Sequence, residues 1–344
     1  MTAAETSLDV VDLRTTLVLR DGRVDVVRGV SFSISEGETL ALVGESGCGK
    51  TMTALSIIRL LPDPPARTTG GRVLLGGRDL LPLHESEMRA LRGEMVSMVF
   101  QEPLTSLDPV FSIGEQISEA ITAHRAVGRS EARDMAVEIL KEVQIPSPEK
   151  RLVDYPHQLS GGMRQRVMIA MALVLDPRVL IADEPTTALD VTIQAQILDL
   201  IRAEQERRRL AVLLITHNLA VVSQVADRVA VMYAGEIVEL APAAEIFSEP
   251  RHPYTQGLLS SIPSAGGDRK HLYTIPGRVP DPRRLPPACL YAPRCPYALD
   301  RCWKQPPELS PEGRRLLRCW NPQPFTALRA LEESESERTA ATSE

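Results

Sequence analysis

"GESGCGKT", residues 44–51, follows the apolar run Thr39–Val43 and precedes a helical pattern that begins at Lys50. The stretch fits G-x-x-x-x-G-K-[ST], and its strand–loop–helix setting separates a phosphate loop from an ordinary Gly-rich turn. Glycines at 44, 47 and 49 let successive backbone N–H groups turn toward one anion, and the helix N-terminus adds partial positive charge. Lys50 can then reach the β and γ phosphates of a nucleoside triphosphate, and the Thr51 hydroxyl can bind Mg2+. Gly44, Glu45, Ser46, Gly47, Cys48, Gly49, Lys50 and Thr51 are therefore the candidate phosphate-binding residues. Cys48 stands beside that helix N-terminus, which favours a thiolate and predicts a thiol accessible to alkylation before nucleotide binds.

Working outward, the apolar runs Val96–Phe100, Val179–Ala182 and Leu210–Ile215 join Thr39–Val43 as strands too apolar for a sheet facing water. Helical patterns at Lys50–Leu61, Glu131–Val143, Met163–Leu175 and Ile193–Arg208 alternate with them, which predicts an α/β fold built on a largely parallel sheet. Gly-punctuated segments at 17–34 and 68–80 read as antiparallel hairpins, an N-terminal β subdomain. Residues from about 104 to 170 read as an inserted helical subdomain with breaks at Pro146, Pro148 and Pro156. After residue 246 the sequence turns to Pro-rich loops, and the acidic, polar stretch 326–344 reads as a disordered tail.

Composition narrows the function classes. With 344 residues, 43% hydrophobic, the chain can bury one large core and a smaller appendage. Its longest apolar run, Val167–Leu175, is far short of the roughly 20 residues a membrane-spanning helix needs. A net charge of −6 argues against nucleic acid as the main partner. The N-terminal stretch has neither the basic cluster nor the apolar core of a secretory signal, so a cytoplasmic location is expected. Reducing conditions there, and an odd count of five cysteines, favour metal ligation over disulfides for the cysteines near the C-terminus.

Further candidates lie at strand ends. "RVLIADEP", residues 178–185, puts Asp183 and Glu184 at the carboxyl edge of a buried strand, where ligands of open α/β sheets collect. Asp183 is expected to orient Mg2+ and Glu184 to polarise the attacking water, since phosphoryl transfer depends mainly on positioning and charge stabilisation. Gln101 and His217 follow two other strands and can meet the γ-phosphate, its Mg2+ or its water. "LSGGMRQR" sets Ser160, Gly161 and Gly162 ahead of a helix, a second anion site. The phosphate loop already occupies this chain's own nucleotide, so that second ligand is expected to belong to another subunit.

"GESGCGKT", "QEP", "LSGGMRQR", "LIADEPTTALD" and "ITHN", in this order over residues 8–245, resemble the ATP-binding subunit of an ABC transporter. The resemblance implies a P-loop NTPase fold of the ABC ATPase type and a head-to-tail dimer. ATP with Mg2+ is then sandwiched between one subunit's phosphate loop and the other's Ser160-Gly161-Gly162 motif, with Asp190 in a loop communicating across the interface. Many members stack adenine on an aromatic residue shortly before the phosphate loop; "LVLRDGRVDVV", residues 17–27, has none, and Leu17, Arg23 or Val26 is expected in its place.

"SEPRHPYTQGLLSSIP" and the cysteine segment, about residues 246–325, resemble the C-terminal extension of oligopeptide, dipeptide and nickel importers, with features of their D-type ATPase subunit. The resemblance implies a second, unlike ATPase, two transmembrane permease subunits, an extracytoplasmic binding protein, and a peripheral place on the cytoplasmic face of the membrane. It puts the coupling surface at "EPLTSLDPV", just after Gln101. Peptide, peptide-like compound and nickel remain alternative cargoes, and a soluble ABC ATPase acting on ribosomes or DNA is the remaining functional class. Cys289, Cys295, Cys302 and Cys319 lack the tight pairs of structural zinc sites, while widely spaced loops can reach the corners of a larger cluster. Similar importer subunits imply a 4Fe-4S cluster there, with Zn2+ or unligated thiols as alternatives.

Overall fold

The computed structural model describes residues 6–102, 106–187, 189–262 and 274–325. Two sheets organise the chain. The smaller runs β2 (Gly22–Ser35), β1 (Thr6–Leu19), β4 (Ala66–Leu75), β5 (Arg78–Asp79), all antiparallel. The larger runs β11 (Ser310–Glu312), β12 (Arg315–Leu317), β10 (Glu236–Pro242), β9 (Arg228–Tyr233), β3 (Thr39–Val43), β8 (Ala211–Ile215), β7 (Val179–Asp183), β6 (Val96–Val99). From β9 to β6 every pairing is parallel, as the apolar runs predict.

Alternation along these strands divides the core. In β3, Leu40 and Leu42 pack with the N-terminal β subdomain and the helix Lys50–Ile57, whereas Ala41 and Val43 face β9 and the C-terminal region. In β7, Val179 and Ile181 join the first of these clusters; Leu180 and Ala182 turn to the helices Ile113–Thr122, Arg129–Glu142 and Gly161–Leu173. Residues buried on both faces this way explain why the strands read as unbroken apolar runs.

One segment was not assigned from the sequence, and another departs from its sequence reading. The segment 228–242 forms a hairpin, turned by Ala234 and Gly235 at φ 46° and 88°, a geometry that matches the strand twist. The stretch after 246, expected as Pro-rich loops, contains a helix at Pro253–Ser260 and donates β12 to the main sheet, where Glu239 and Leu240 pair with Leu317 and Leu316. Most of "EPLTSLDPV" is described, but residues 103–105 lie outside the described residues, as do 1–5 and the predicted tail 326–344. Among the described residues no helix is long and apolar enough to cross a membrane.

Candidate active site

All the strand-end candidates gather at one edge of the large sheet, because β3, β6, β7 and β8 run parallel and end together. Residues 44–51 wrap over the end of β3 and enter the helix at Lys50. Gly44 and Gly49 hold φ of 152° and 107°; a Cβ at Gly44 would come within 2.2 Å of the Met232 carbonyl oxygen, and one at Gly49 within 2.5 Å of that of Val26. Both positions therefore require glycine. Ser46 and Gly47 are exposed at the loop's crest, while Lys50 is buried and its Nζ donates to the carbonyls of Gly44 (2.9 Å) and Glu45 (3.2 Å). The ammonium thus lies within the loop, where a triphosphate's β and γ oxygens would be drawn.

Cys48 differs from its sequence expectation. It is 1% exposed, and burial pushes its thiol up despite the nearby Lys50 ammonium. Desolvation outweighs the helix N-terminus here, so the thiol is neither accessible nor favoured as thiolate. Its carbonyl accepts from the Gly235 N–H at 2.9 Å, and its Sγ lies 3.9 Å from Lys50 Nζ.

Asp183 ends β7 and is 1% exposed. Burial raises its pKa, opposed by a hydrogen bond from Thr51 and by Lys50, and its Oδ1 has no hydrogen-bond partner among the described residues. A buried carboxylate oxygen without a donor, beside a threonine hydroxyl and a lysine, is the arrangement a hard divalent cation satisfies. Thr51, Asp183 and Gln101 would hold Mg2+, which when bound neutralises charge on the β and γ oxygens.

Glu184, one residue on, adopts φ 46° in the left-handed region that glutamate rarely visits, and its N–H donates to the Ile215 carbonyl at 2.8 Å. Three donors surround the carboxylate. The Thr187 hydroxyl (2.8 Å) and Gln101 Nε2 (3.3 Å) donate to one oxygen, and His217 Nδ1 lies 3.1 Å from the other. Burial pushes the pKa up, but Thr187, His217 and Lys50 outweigh it, so the carboxyl is held below its ordinary range. Glu184 therefore stays ionised and presents a charged acceptor at this strand edge. The structure brings Gln101, Glu184 and His217 together as the motifs predict. Thr187 lies within the quoted "LIADEPTTALD" but its hydroxyl's role was missed; a threonine three residues after the acid was the available signal.

Ser160 caps the helix Gly161–Leu173, its hydroxyl accepting from the Met163 N–H at 3.3 Å. Ser160 and Gly161 are exposed at that helix end, and a Cβ at Gly162 would meet Ile193 at 2.8 Å. Asp190 caps the next helix, Val191–Arg208, by accepting from the Ile193 N–H at 2.9 Å. The second anion motif and the communicating loop are thus packed against each other. Of the three residues expected near adenine, Val26 abuts the loop through its carbonyl, as the Gly49 approach shows; Leu17 and Arg23 sit farther out on the β1–β2 hairpin.

The cysteine segment occupies one neighbourhood. Cys289 N–H donates to the Cys302 carbonyl at 2.9 Å, and the Cys319 thiol feels those of Cys295, Cys289 and Cys302. Burial pushes Cys295 up to about 11 and Cys319 up to about 12. Among the described residues no group of three or more His, Cys, Asp or Glu side chains is arranged to hold a metal ion. The expected 4Fe-4S cluster, and Zn2+ as its alternative, gain no support from the geometry.

A strand-edge phosphate loop, a buried aspartate beside its threonine and a strongly hydrogen-bonded glutamate define an ATP-hydrolysing cassette. Residues 27–187 match the family described as "ABC transporter", and residues 238–302 that of "Oligopeptide/dipeptide transporter, C-terminal region". The chain is 50% identical over 316 residues to the "Oligopeptide transport ATP-binding protein AppD" of Bacillus subtilis, covering 92% of this chain and 96% of that one. Against that organism's "Dipeptide transport ATP-binding protein DppD" the identity is 48% over 317 residues, covering 92% and 95%. A dimeric post-hydrolysis structure of the ATP-binding cassette MJ0796, bound to ADP and Pi, superposes with TM-score 0.62 at 27% identity, over 69% of this chain and 98% of that one. The chain belongs to the ABC transporter ATP-binding proteins, in the branch that carries the oligopeptide/dipeptide transporter C-terminal region.

Proposed function

We propose that this chain hydrolyses ATP to drive an importer of dipeptides or oligopeptides. The observation that carries the reading is that the likeness to peptide-transport ATP-binding proteins runs through both the ATPase portion and the C-terminal region. In this reading Ser160, Gly161 and Gly162 close over the ATP held by a second, non-identical ATPase, and that subunit's equivalent motif closes over Lys50 and Thr51. The dimer sits on the cytoplasmic face of the membrane beneath two permease subunits, which receive cargo from an extracytoplasmic binding protein. Residues after Gln101 carry the change in nucleotide state to the permease; Val110 and Phe111 on that surface are 70% and 50% exposed, which supports a docking role there. The test is to purify the chain from membranes with its partners and measure ATP turnover in liposomes. Turnover stimulated by peptide-loaded binding protein is expected; turnover indifferent to every peptide, or co-purification with ribosomes or DNA, overturns the reading.

The same reading includes a 4Fe-4S cluster on Cys289, Cys295, Cys302 and Cys319. Its support lies in the sequence: four cysteines at intervals too wide for paired zinc ligands, in a segment that resembles the C-terminal extension of peptide importers. Such a group would pin loops that have little apolar material of their own. About four irons and four sulfides per chain after anaerobic purification are expected; stoichiometric zinc with no labile sulfide sinks the assignment.

A further inference from the structure

The phosphate loop is gripped from outside by the C-terminal region. Arg294, 249 residues along the chain from Glu45, makes a two-pronged ion pair with its carboxylate: Nη1 to Oε2 at 2.7 Å and Nη2 to Oε1 at 3.0 Å. The Arg294 side chain is only 4% exposed and that of Glu45 29%. A third donor of the guanidinium, Nε, reaches the Pro276 carbonyl at 2.8 Å, and the group lies 5.8 Å from the centre of the Tyr233 ring. Glu45 is held by its backbone too, since its N–H donates to the hydroxyl of buried Tyr254 at 2.9 Å. Tyr254 stands on the helix Pro253–Ser260 and packs edge-on against Tyr233 at 4.7 Å.

The turn that carries Arg294 is set by the cysteine segment. Ala292 N–H donates to the Cys289 carbonyl at 3.1 Å, and Cys295 N–H returns to the Ala292 carbonyl at 3.2 Å. Sequence separation makes this segment look remote from the ATP site, but folding places it against the first variable residue of the phosphate loop.

We propose that Arg294 is a positioning residue of the nucleotide site: it neutralises Glu45 and fixes the loop entrance, so that the C-terminal region sets the affinity for MgATP. Without the guanidinium, Glu45 places an uncompensated carboxylate in the loop that must receive a triphosphate. That charge repels phosphate oxygens and competes for Lys50. With it, the negative charge is cancelled by a rigid fork whose planar geometry lysine cannot reproduce. The inference rests on nucleotide binding at residues 44–51 and is independent of peptide cargo.

The experiment measures MgATP binding to the full chain with a fluorescent ATP analogue, then KM and kcat in the assembled transporter. Arg294→Gln is expected to weaken MgATP about tenfold and to raise KM by a similar factor, with a smaller change in kcat at saturation. Arg294→Lys should recover only part of the loss. In a Glu45→Gln background the further change Arg294→Gln should cost much less, because no bare carboxylate remains; this non-additivity is a readout that simple unfolding would not produce. Tyr254→Phe, removing the acceptor of the Glu45 N–H, should weaken binding in the same direction. Lys50→Ala serves as the control for the site itself. If Lys50→Ala abolishes binding while Arg294→Gln binds as wild type, or if the effects of 45 and 294 simply add, the inference is overturned and the nucleotide site stands. If Lys50→Ala leaves binding unchanged, the site reading itself has failed.

Discussion

Replacing Glu184 by glutamine separates the chemical step from folding. The amide keeps the side chain's shape in a pocket where it is 13% exposed, and the Thr187 hydroxyl can still donate to its carbonyl oxygen. What is lost is the charge that Thr187, Gln101 and His217 converge on. Loss of charge-assisted hydrogen bonding should change fold stability by about 1 kcal/mol. Removing a positioned, ionised acceptor for the attacking water should slow hydrolysis by about 10²- to 10³-fold, or roughly 3–4 kcal/mol of barrier. Lys50, Thr51 and Asp183 are untouched, so MgATP binding should persist and a closed, ATP-loaded dimer should accumulate. The assays are ATP turnover in the assembled transporter, nucleotide retained after rapid desalting, and thermal melting of the chain alone. Wild-type turnover in Glu184→Gln removes the assignment. A slow variant that also binds no ATP places the defect in the loop and not in the water-orienting carboxylate.

Arg315→Met tests how the C-terminal region is attached. Glu239 is fully buried, and Arg315 Nη1 donates to it at 2.9 Å, so the substitution strands a buried carboxyl and should cost about 3 kcal/mol at neutral pH. Burial already pushes the Glu239 carboxyl up; without Arg315 its folded pKa rises further. The penalty should therefore be small below the unfolded-state value and grow as pH rises through the raised folded value. Melting curves at acid and alkaline pH check this, and a penalty that shrinks with rising pH refutes it. For Cys48, native protein should be labelled by a small alkylating reagent far more slowly than denatured protein, with or without MgATP; rapid labelling of the folded chain, read by mass spectrometry, contradicts its burial.

How far the sequence reaches depends on whether the deciding interaction is local. β3, β7 and β8 were readable because both faces of each strand are buried, which writes the strand as an apolar run; β6, half-buried at Ser97 and Met98, was readable from Val96 and Val99. Gln101, Asp183, Glu184 and His217 were readable because each stands within two residues of the end of such a run, and parallel strands bring their carboxyl ends to one edge. Cys48 was misjudged where a local rule met a non-local fact. The helix N-terminus predicts an acidic thiol, and packing that no spacing reveals reverses it. Arg294 escaped notice for a similar reason. It sits between cysteines that drew attention to themselves, and nothing in "APRC" announces a carboxylate 249 residues away.

The same distinction bears on what the C-terminal region is. Read as composition it is an appendage of prolines and cysteines attached to a finished ATPase. In the folded chain its β12 covers the edge of β10, an edge that would otherwise present unpaired backbone groups. Glu239, in the middle of β10, accepts from the N–H groups of Arg251 (2.9 Å) and His252 (3.0 Å) and from Arg315, all C-terminal to the ATPase motifs. A carboxylate fully buried in the main sheet is costly to folding unless such donors compensate it. The candidate ATP-site residues and the residues that complete the sheet beneath them therefore share one continuous set of contacts, and the ion pair of Arg294 with Glu45 ties that set to the phosphate loop.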